Sequence, residues 1–526
     1  MSAARVGRAA LLLGVLAAPL GARAQATPSS RGATAASPYV PLDDAAYSLV
    51  DALLARGALR TLSALDRPYT VAELRAAIAA TPADSLGRVS RAWLGRLARV
   101  AEKYAPPEAD ERGDDVLRVR ATLAPFATAQ TSEERELMLA DGGSGAYPGV
   151  WARAAGVAGP MVATLRVSGD LALKHDTRFT GKTDRAITGR VEDGSVAAQW
   201  RFGELFAGRQ ARSWGPHAMS GLLIGRDAFT YDHLHVRLGS RRLRLDALVA
   251  KLDDVRLGGD TTAHRYLGTH RLLARWRDLE VAVSEAMLYG GPDRGFEPAF
   301  ANPFNVYSLS QYNEDEPGNV SYALDVAWRP RRAGVWSAQL LVDDFQVDDC
   351  EASCDEPPSL GVTVTAEGVP LLGDQRAFAS YTRVTNLTYR THEPWETYAI
   401  LGGGLARNFS DYDEARVGVD LALLAAAPLR AYVAYRRQGE GDFRLPFPEV
   451  ADYPETPTLL AGTPQRVLRV AVSGGGRVGP VEVTGDVGWN RTRDAQHVAG
   501  RDASGVEGRV RASLELRPLV QWVASP

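Results

Sequence analysis

The chain has 526 residues, 45% of them hydrophobic and 23% charged, with 60 basic against 63 acidic residues and a formal net charge of -3. Those proportions exclude disorder throughout, and interspersed charges with no long basic block argue against a nucleic-acid partner. Beyond residue 24 the longest apolar run is Leu421 to Leu429, far short of the ~20 residues a spanning helix needs. Any membrane crossing must therefore be made by strands.

Residues 1–24 read as an export signal. Arg5 and Arg8 form the positive start, Ala9 to Leu20 the apolar stretch, and Ala22-Arg23-Ala24 a small-x-small cleavage site. No Cys follows that site, which argues against a lipid anchor. Residues 25–37, rich in Ala, Ser, Thr and Pro, read as a flexible linker.

Residues 38–105 have a helical period and predict a small bundle. Leu49, Val50, Leu53 and Leu54 share one face behind Asp43 and Asp44. Thr70-Val-Ala-Glu73 is a capping box that starts a second helix at Val71. A third is expected from about Pro82, carrying Leu86, Val89, Trp93, Leu97, Val100 and Tyr104 at spacings of three and four. Three such helices make a thin core, so they should pack on something larger.

From residue 116 to the end, 526, the period is two. Leu117, Val119, Ala121 and Leu123 alternate with Arg118, Arg120 and Thr122, and the pattern recurs at 163–174, 320–329, 481–489 and 506–516. One apolar and one openly charged face over ~10 residues is what a membrane strand around a wet lumen requires. A soluble sandwich would also alternate. The barrel is favoured by about 400 residues without a helix-length interruption, by Trp328, Trp336 and Trp489 near strand ends, and by the connections. Arg277-Asp278, Pro330 to Gly334 and Gly479-Pro480 look like tight turns, whereas 253–264, 290–318, 439–464 and 492–505 are long and polar. The fold class is thus an all-β transmembrane barrel, antiparallel, with an N-terminal α-helical bundle. The candidate strands number nineteen, although such a barrel should have an even count, and the order of short and long connections breaks between Leu360 and Glu414.

Cys350 and Cys354, the only cysteines, lie in an acidic stretch with Asp348, Asp349, Glu351, Asp355 and Glu356. A small disulfide in an oxidising compartment is the favoured reading; a hard-cation site is the other. Asp343 and Asp344 break the alternation in one strand, and a salt bridge to a lumen arginine explains them better than acid–base chemistry. His217 and Ser220 sit near Met219 without a nucleophile elbow, and the eight histidines lack zinc-ligand spacing. The expectation is no enzyme, no metal and no cofactor.

Candidate binding residues combine guanidinium forks, which suit sugar carboxylates, with aromatic faces, which suit sugar C–H surfaces. They are Arg209, Arg212 and Trp214 in one segment, and Arg436, Arg437, Phe443, Arg444 and Tyr453 in another; Phe296, Phe300, Tyr307 and Tyr312 add loop aromatics. The same residues would serve equally as braces for a turn or a loop lid.

The ordered set of Tyr39-Val-Pro-Leu-Asp43, Arg67-Pro-Tyr-Thr70, Arg209-Gln210 with Trp214-Gly-Pro216, Leu341-Val-Asp-Asp-Phe-Gln346 and Tyr381-Thr-Arg-Val384 with Tyr389 resembles the Wzi-like capsule-assembly outer-membrane proteins. The resemblance implies about 18 strands, a helical bundle on the periplasmic mouth and location in the Gram-negative outer membrane, among lipid and lipopolysaccharide. It also implies lectin-like retention of capsular or other extracellular polysaccharide at the cell surface. The competing expectation is a diffusion porin for small polar or charged solutes. Leu516 to Pro526 departs from the usual barrel ending, an aromatic at the last position.

Overall fold

The computed structural model describes residues 36–107, 116–139, 143–186, 188–314, 316–330, 333–344 and 356–523. The export signal, most of the linker, and Cys350 and Cys354 with their acidic neighbours through Asp355 lie outside the described residues.

Eighteen antiparallel strands form the wall. They are β1 (Arg118–Gln130), β2 (Gly145–Ala158), β3 (Met161–Asp170), β4 (Thr188–Trp200), β5 (Gly203–Gln210), β6 (Tyr231–Gly239), β7 (Leu243–Lys251), β8 (Thr261–Trp276) and β9 (Leu279–Gly291). The second half comprises β10 (Asn319–Trp328), β11 (Val335–Asp344), β12 (Ser359–Pro370), β13 (Arg376–Val384), β14 (Tyr412–Leu421), β15 (Leu429–Gln438), β16 (Gln465–Val478), β17 (Val481–Arg493) and β18 (Ala503–Leu514). Each pairs with the next, and β18 closes on β1 through Phe126–Ser513 to Gln130–Arg509. The departure at the C-terminus has a structural counterpart: Val520–Val523 resumes the line of β18 and pairs with Arg118–Ala121.

Side chains invert the soluble pattern. In β15 and β16, Val433, Tyr435, Leu468, Val470 and Val472 are exposed, whereas Arg436 and Arg469 are 3% and 1% exposed. Burial of guanidiniums beneath an exposed apolar band makes sense only if lipid replaces water outside. Trp276 and Leu279, and Trp328 and Trp336, pair across adjacent strands at the short-turn rim, where an interfacial girdle belongs. The short turns at Arg277-Asp278 and Gly479-Pro480 join β8 to β9 and β16 to β17. Gly479 takes a left-handed φ of 61°, which costs glycine nothing.

Two strand expectations need correction. Between Leu360 and Glu414 only β12 and β13 precede β14, and residues 385–411 carry no wall strand. They turn back in a two-residue hairpin, Ala399–Ile400 with Gly403–Gly404. Likewise β3 stops at Asp170, whose carboxylate accepts from the Ala172 N–H at 2.7 Å and turns the chain away.

Helices α1 (Ala46–Leu54), α2 (Val71–Ala79) and α3 (Arg88–Tyr104) bury Leu49, Leu53, Leu74, Trp93 and Leu97 in one cluster. The Thr70–Glu73 capping box starts α2. However, α3 starts at Arg88 rather than near Pro82, because Ala83–Ser85 is a 3-10 turn and Gly87 is the N-cap. Glycine resists helix propagation, and the Asp374 carboxylate lies 2.8 Å from where a Cβ of residue 87 would sit. The helices pack at the short-turn end. Trp93 Nε1 donates to Leu424 O at 2.9 Å, Arg56 pairs with Asp374 at 3.3 Å, and Lys103 lies 3.0 Å from Asp44 and 3.2 Å from Glu482. Buried Lys103 stays charged because Asp44 and its neighbours outweigh desolvation and raise its pKa well above the ordinary value.

Candidate functional site

Three of the described segments inside the lumen interlock. The first is the strap from α1 to α2. Asp66 pairs with wall residues Arg237 and Arg244 at 3.0 and 2.8 Å, and both arginines also hold Asp246, at 2.9 and 2.6 Å. Nearby, Arg271 Nη1 donates to Leu65 O and Glu280 accepts from Ser63 Oγ at 2.7 Å. The second segment, 211–230, meets the strap through the pairs Asp66–Trp214 and Arg67–Ser213. The third, 385–411, locks onto the second. Tyr389 and Tyr398 hydroxyls each donate at 2.6 Å, to Leu222 O and Leu223 O. Wall residue Arg265 donates to Trp395 O, Thr397 O and Ala399 O. Leu222, Leu223, Leu405 and Phe443 are buried between these layers. Apolar sequence inside a polar lumen is thus explained: it is the core of a plug.

Two chambers of ligand size lie among the described residues. The one near α1, about 360 Å³, is lined by Asp51, Arg67, His217 and Arg430. The larger, about 550 Å³, lies toward the long loops and is lined by Trp151, Arg226, Phe409, Arg407, Arg436 and Arg509 among others. Both volumes fall in the range of ligand sites, ~300–1,000 Å³. Asp43 and Arg226 line both chambers. Burial would raise the Asp43 carboxyl, but Arg166 at 2.8 Å and Arg511 at 3.7 Å bring it down to about 2, so it is charged at neutral pH. Burial, with Arg67 and Arg329 nearby, holds His217 well below its ordinary value and therefore neutral.

In the larger chamber, Arg407 Nε, Arg436 Nη1 and Arg509 Nε have no hydrogen-bond partner among the described residues. Arg407 and Arg436 are nevertheless buried, with Arg407 Nη2 tied to Thr363 and Arg436 to Glu414 at 2.8 Å and Glu136 at 3.1 Å. Arg226 differs: 45% of its side chain is accessible even though it belongs to the lumen segment. Phe229 carries the guanidiniums of Arg135 and Arg190 over its ring, at 3.9 and 4.8 Å. The accessible guanidinium of the chamber is thus that of Arg226, while the unpartnered nitrogens of Arg407, Arg436 and Arg509 lie sealed in its wall beside the buried Phe229 and Phe409 rings.

The sequence candidates divide differently. Arg212 is buried against His233 at 2.9 Å and over the Phe206 ring, and Trp214, 1% exposed, sits under Arg271. Both brace the plug, and neither can reach a sugar. Arg209 and Arg437 have the outward parity of their strands and pair with Asp232 and Asp413 at 2.5 and 2.9 Å. Phe443 is buried edge-on to Tyr389, with Arg444 over its other side. Tyr453 packs on Phe447, which stacks on His392. These loop residues form a lid. Arg436 alone of the set lines the chamber. Of the two adjacent aspartates, Asp343 accepts from Ser321 Oγ at 2.5 Å and Tyr389 N at 2.6 Å, fixing the plug to the wall by hydrogen bonds. Ser220 Oγ donates to Ala406 O and accepts from Arg226 N, again within the plug. Arg226, Arg407 and Phe409, absent from the sequence candidates, lie in aperiodic segments that carry no local signal; Arg509 was legible as lumen-facing from the parity of β18.

No protein-family model and no curated protein matches the chain. Among solved structures, Wzi of Escherichia coli, an outer membrane protein involved in group 1 capsule assembly and described as a carbohydrate-binding β-barrel, is similar over 91% of this chain and 99% of its own, with a TM-score of 0.62 and 11% identity. The fold is that of the Wzi barrel. OccD3 of Pseudomonas aeruginosa matches 79% of this chain and 96% of its own, with a TM-score of 0.43 and 12% identity. OprD of the same organism matches 76% and 96%, with a TM-score of 0.43 and 10% identity.

Proposed function

We propose that this chain is a Gram-negative outer-membrane barrel that binds an acidic extracellular or capsular polysaccharide and retains it at the cell surface. The observation that carries the reading is the long-loop chamber, whose lining sets exposed Arg226 among Arg407, Arg436, Arg509, Phe229 and Phe409. Guanidinium forks suit uronate carboxylates, and the lid puts the loops where a polymer arrives. Wzi, of the same fold, is described as carbohydrate-binding. The reading places the short-turn end and its helices in the periplasm, as outer-membrane barrels do, and includes no catalytic step.

Three interlocked lumen segments speak against the diffusion-porin alternative. Each exposed charge contact contributes ~1 kcal/mol or less, so useful affinity requires repeats along one polymer. Purified protein titrated with polyuronate should bind, with affinity that falls as salt rises. Binding indifferent to salt, or shared equally by a neutral glycan of the same length, refutes the acidic-glycan reading. A steady open channel of porin size in planar bilayers refutes the plugged reading.

A further inference from the structure

One long connection does not cover the lumen at all. Residues 292–314 of the connection between β9 and β10 fold back over the outside of the barrel. Strand parity establishes this. In β8 and β9 the lumen-facing set contains Arg271 and Glu280, so Gly268, His270, Glu285, Met287 and Tyr289 face outward. These outward residues are the ones the connection touches. Phe300 O would lie 2.3 Å from a Cβ on Gly268. Met287, Tyr289 and Val320 share a buried cluster with Phe300 and Tyr307. The Glu285 carboxylate accepts the N–H groups of Tyr307 and Ser308, both at 2.9 Å, and lies 3.2 Å from His270 Nε2.

Height along the wall gives this clip a meaning. His270 and Glu285 are cross-strand partners, six residues above the short-turn rim at Trp276 and Leu279. At ~3.3 Å per residue and a tilt of ~40°, that is about 15 Å into an apolar band about 25 Å tall. A carboxylate at that height cannot face lipid bare, and here it is covered. The cover's outward side is apolar but for exposed Asn302: Phe304 and Leu309 are 77% and 58% exposed, with Phe296 and Val306 also exposed. Lower on the same wall, exposed Leu272, Val283 and Leu324 continue the surface.

From this we infer that residues 296–309 form a lateral membrane clip, whose Phe296, Phe304, Val306 and Leu309 side chains insert among the acyl chains of the outer leaflet. The inference rests on the outer-membrane reading above but concerns a surface separate from the lumen. The occupant is lipid rather than a second chain because the patch lies level with the barrel's own hydrocarbon band and is continuous with it.

The test uses the full-length barrel in dioleoylphosphatidylcholine vesicles, with Cys350→Ser and Cys354→Ser and a single nitroxide at Phe304→Cys, Leu309→Cys, Val283→Cys or Glu314→Cys. The two clip positions are exposed, so labelling removes no buried contact. Collision with oxygen against a water-soluble nickel chelate should place 304 and 309 with Val283, at least tenfold more oxygen-accessible relative to nickel than Glu314. Labels at 304 and 309 that behave like Glu314, while Val283 reports lipid, overturn the clip alone. Shielding from both reagents with dipolar coupling between chains assigns the patch to a second copy and also overturns it. A water-exposed Val283 overturns the membrane reading and the clip together.

Discussion

Asp66 is the most informative single residue of the plug. Its carboxylate is 6% exposed and holds Arg237 and Arg244 across the interface between strap and wall. Asp66→Ala would leave both guanidiniums with Asp246 as their remaining shared partner, together with an empty acceptor position in a buried network. Breaking a buried pair from one side costs ~3–5 kcal/mol, which shifts the docking equilibrium of the strap by about two to three and a half powers of ten. Backbone exchange of residues 60–70 reads that equilibrium, since a strap that opens more often exchanges faster in proportion. The acid dependence follows from the same pairs. Burial would raise the Asp66 carboxyl, but Arg244 and Arg237 hold it below its ordinary value. Its contribution is therefore full above pH ~4 and is lost as pH falls further through the lowered value. Accelerated exchange in Asp66→Ala at pH 7, and none in the wild type until the pH falls below ~4, is the expected result. Equal exchange in wild type and variant at pH 7 refutes the idea that this network docks the strap.

Other predictions concern the remaining lumen segments. Burial, with Glu393 adjacent, pushes the Glu396 carboxyl up to about 7. A raised carboxylate pKa stabilises the folded loop below the unfolded value and loses that contribution as pH rises through 7. Proteolysis of segment 385–411 should therefore quicken between pH 5 and 8, and Glu396→Gln should abolish the dependence. Leu222→Ala, at a site with 0% exposure between the plug layers, should cost ~2–5 kcal/mol in detergent unfolding; a loss under ~1 kcal/mol would deny the plug a packed core. Arg226→Ala with Arg509→Ala should weaken polyuronate binding at least tenfold at low salt without altering the melting temperature by more than a few degrees. Unchanged binding would remove the chamber from the site.

The wall was legible in the sequence because period two survives wherever one face meets lipid. Short turns such as Arg277-Asp278 and Gly479-Pro480 were readable for the same reason, since they interrupt two clean alternations. The plug was not legible. Segments 211–230 and 385–411 have neither period, and their apolar residues acquire neighbours only once the barrel closes around them. Trp214 shows the consequence, as an indole beside two arginines reads as a sugar platform until Arg271 is seen to cover it. Parity separates another pair: Arg436 and Arg437 are adjacent in one strand, so only one of them can face the lumen. The outward excursion of 292–314 has a sequence trace in Glu285, which stands at an outward position where lipid would not tolerate it.

Surface retention of polysaccharide tests the central claim most directly. In a strain that makes an acidic capsule, the gene is deleted and then complemented with wild type or with the Arg226→Ala, Arg509→Ala variant at equal outer-membrane abundance. Cell-bound and released polysaccharide are then measured. The account predicts unchanged total synthesis, a shift from bound to released material on deletion, recovery with wild type, and incomplete recovery with the variant. The same bound fraction in the deletion strain as in its parent would contradict it.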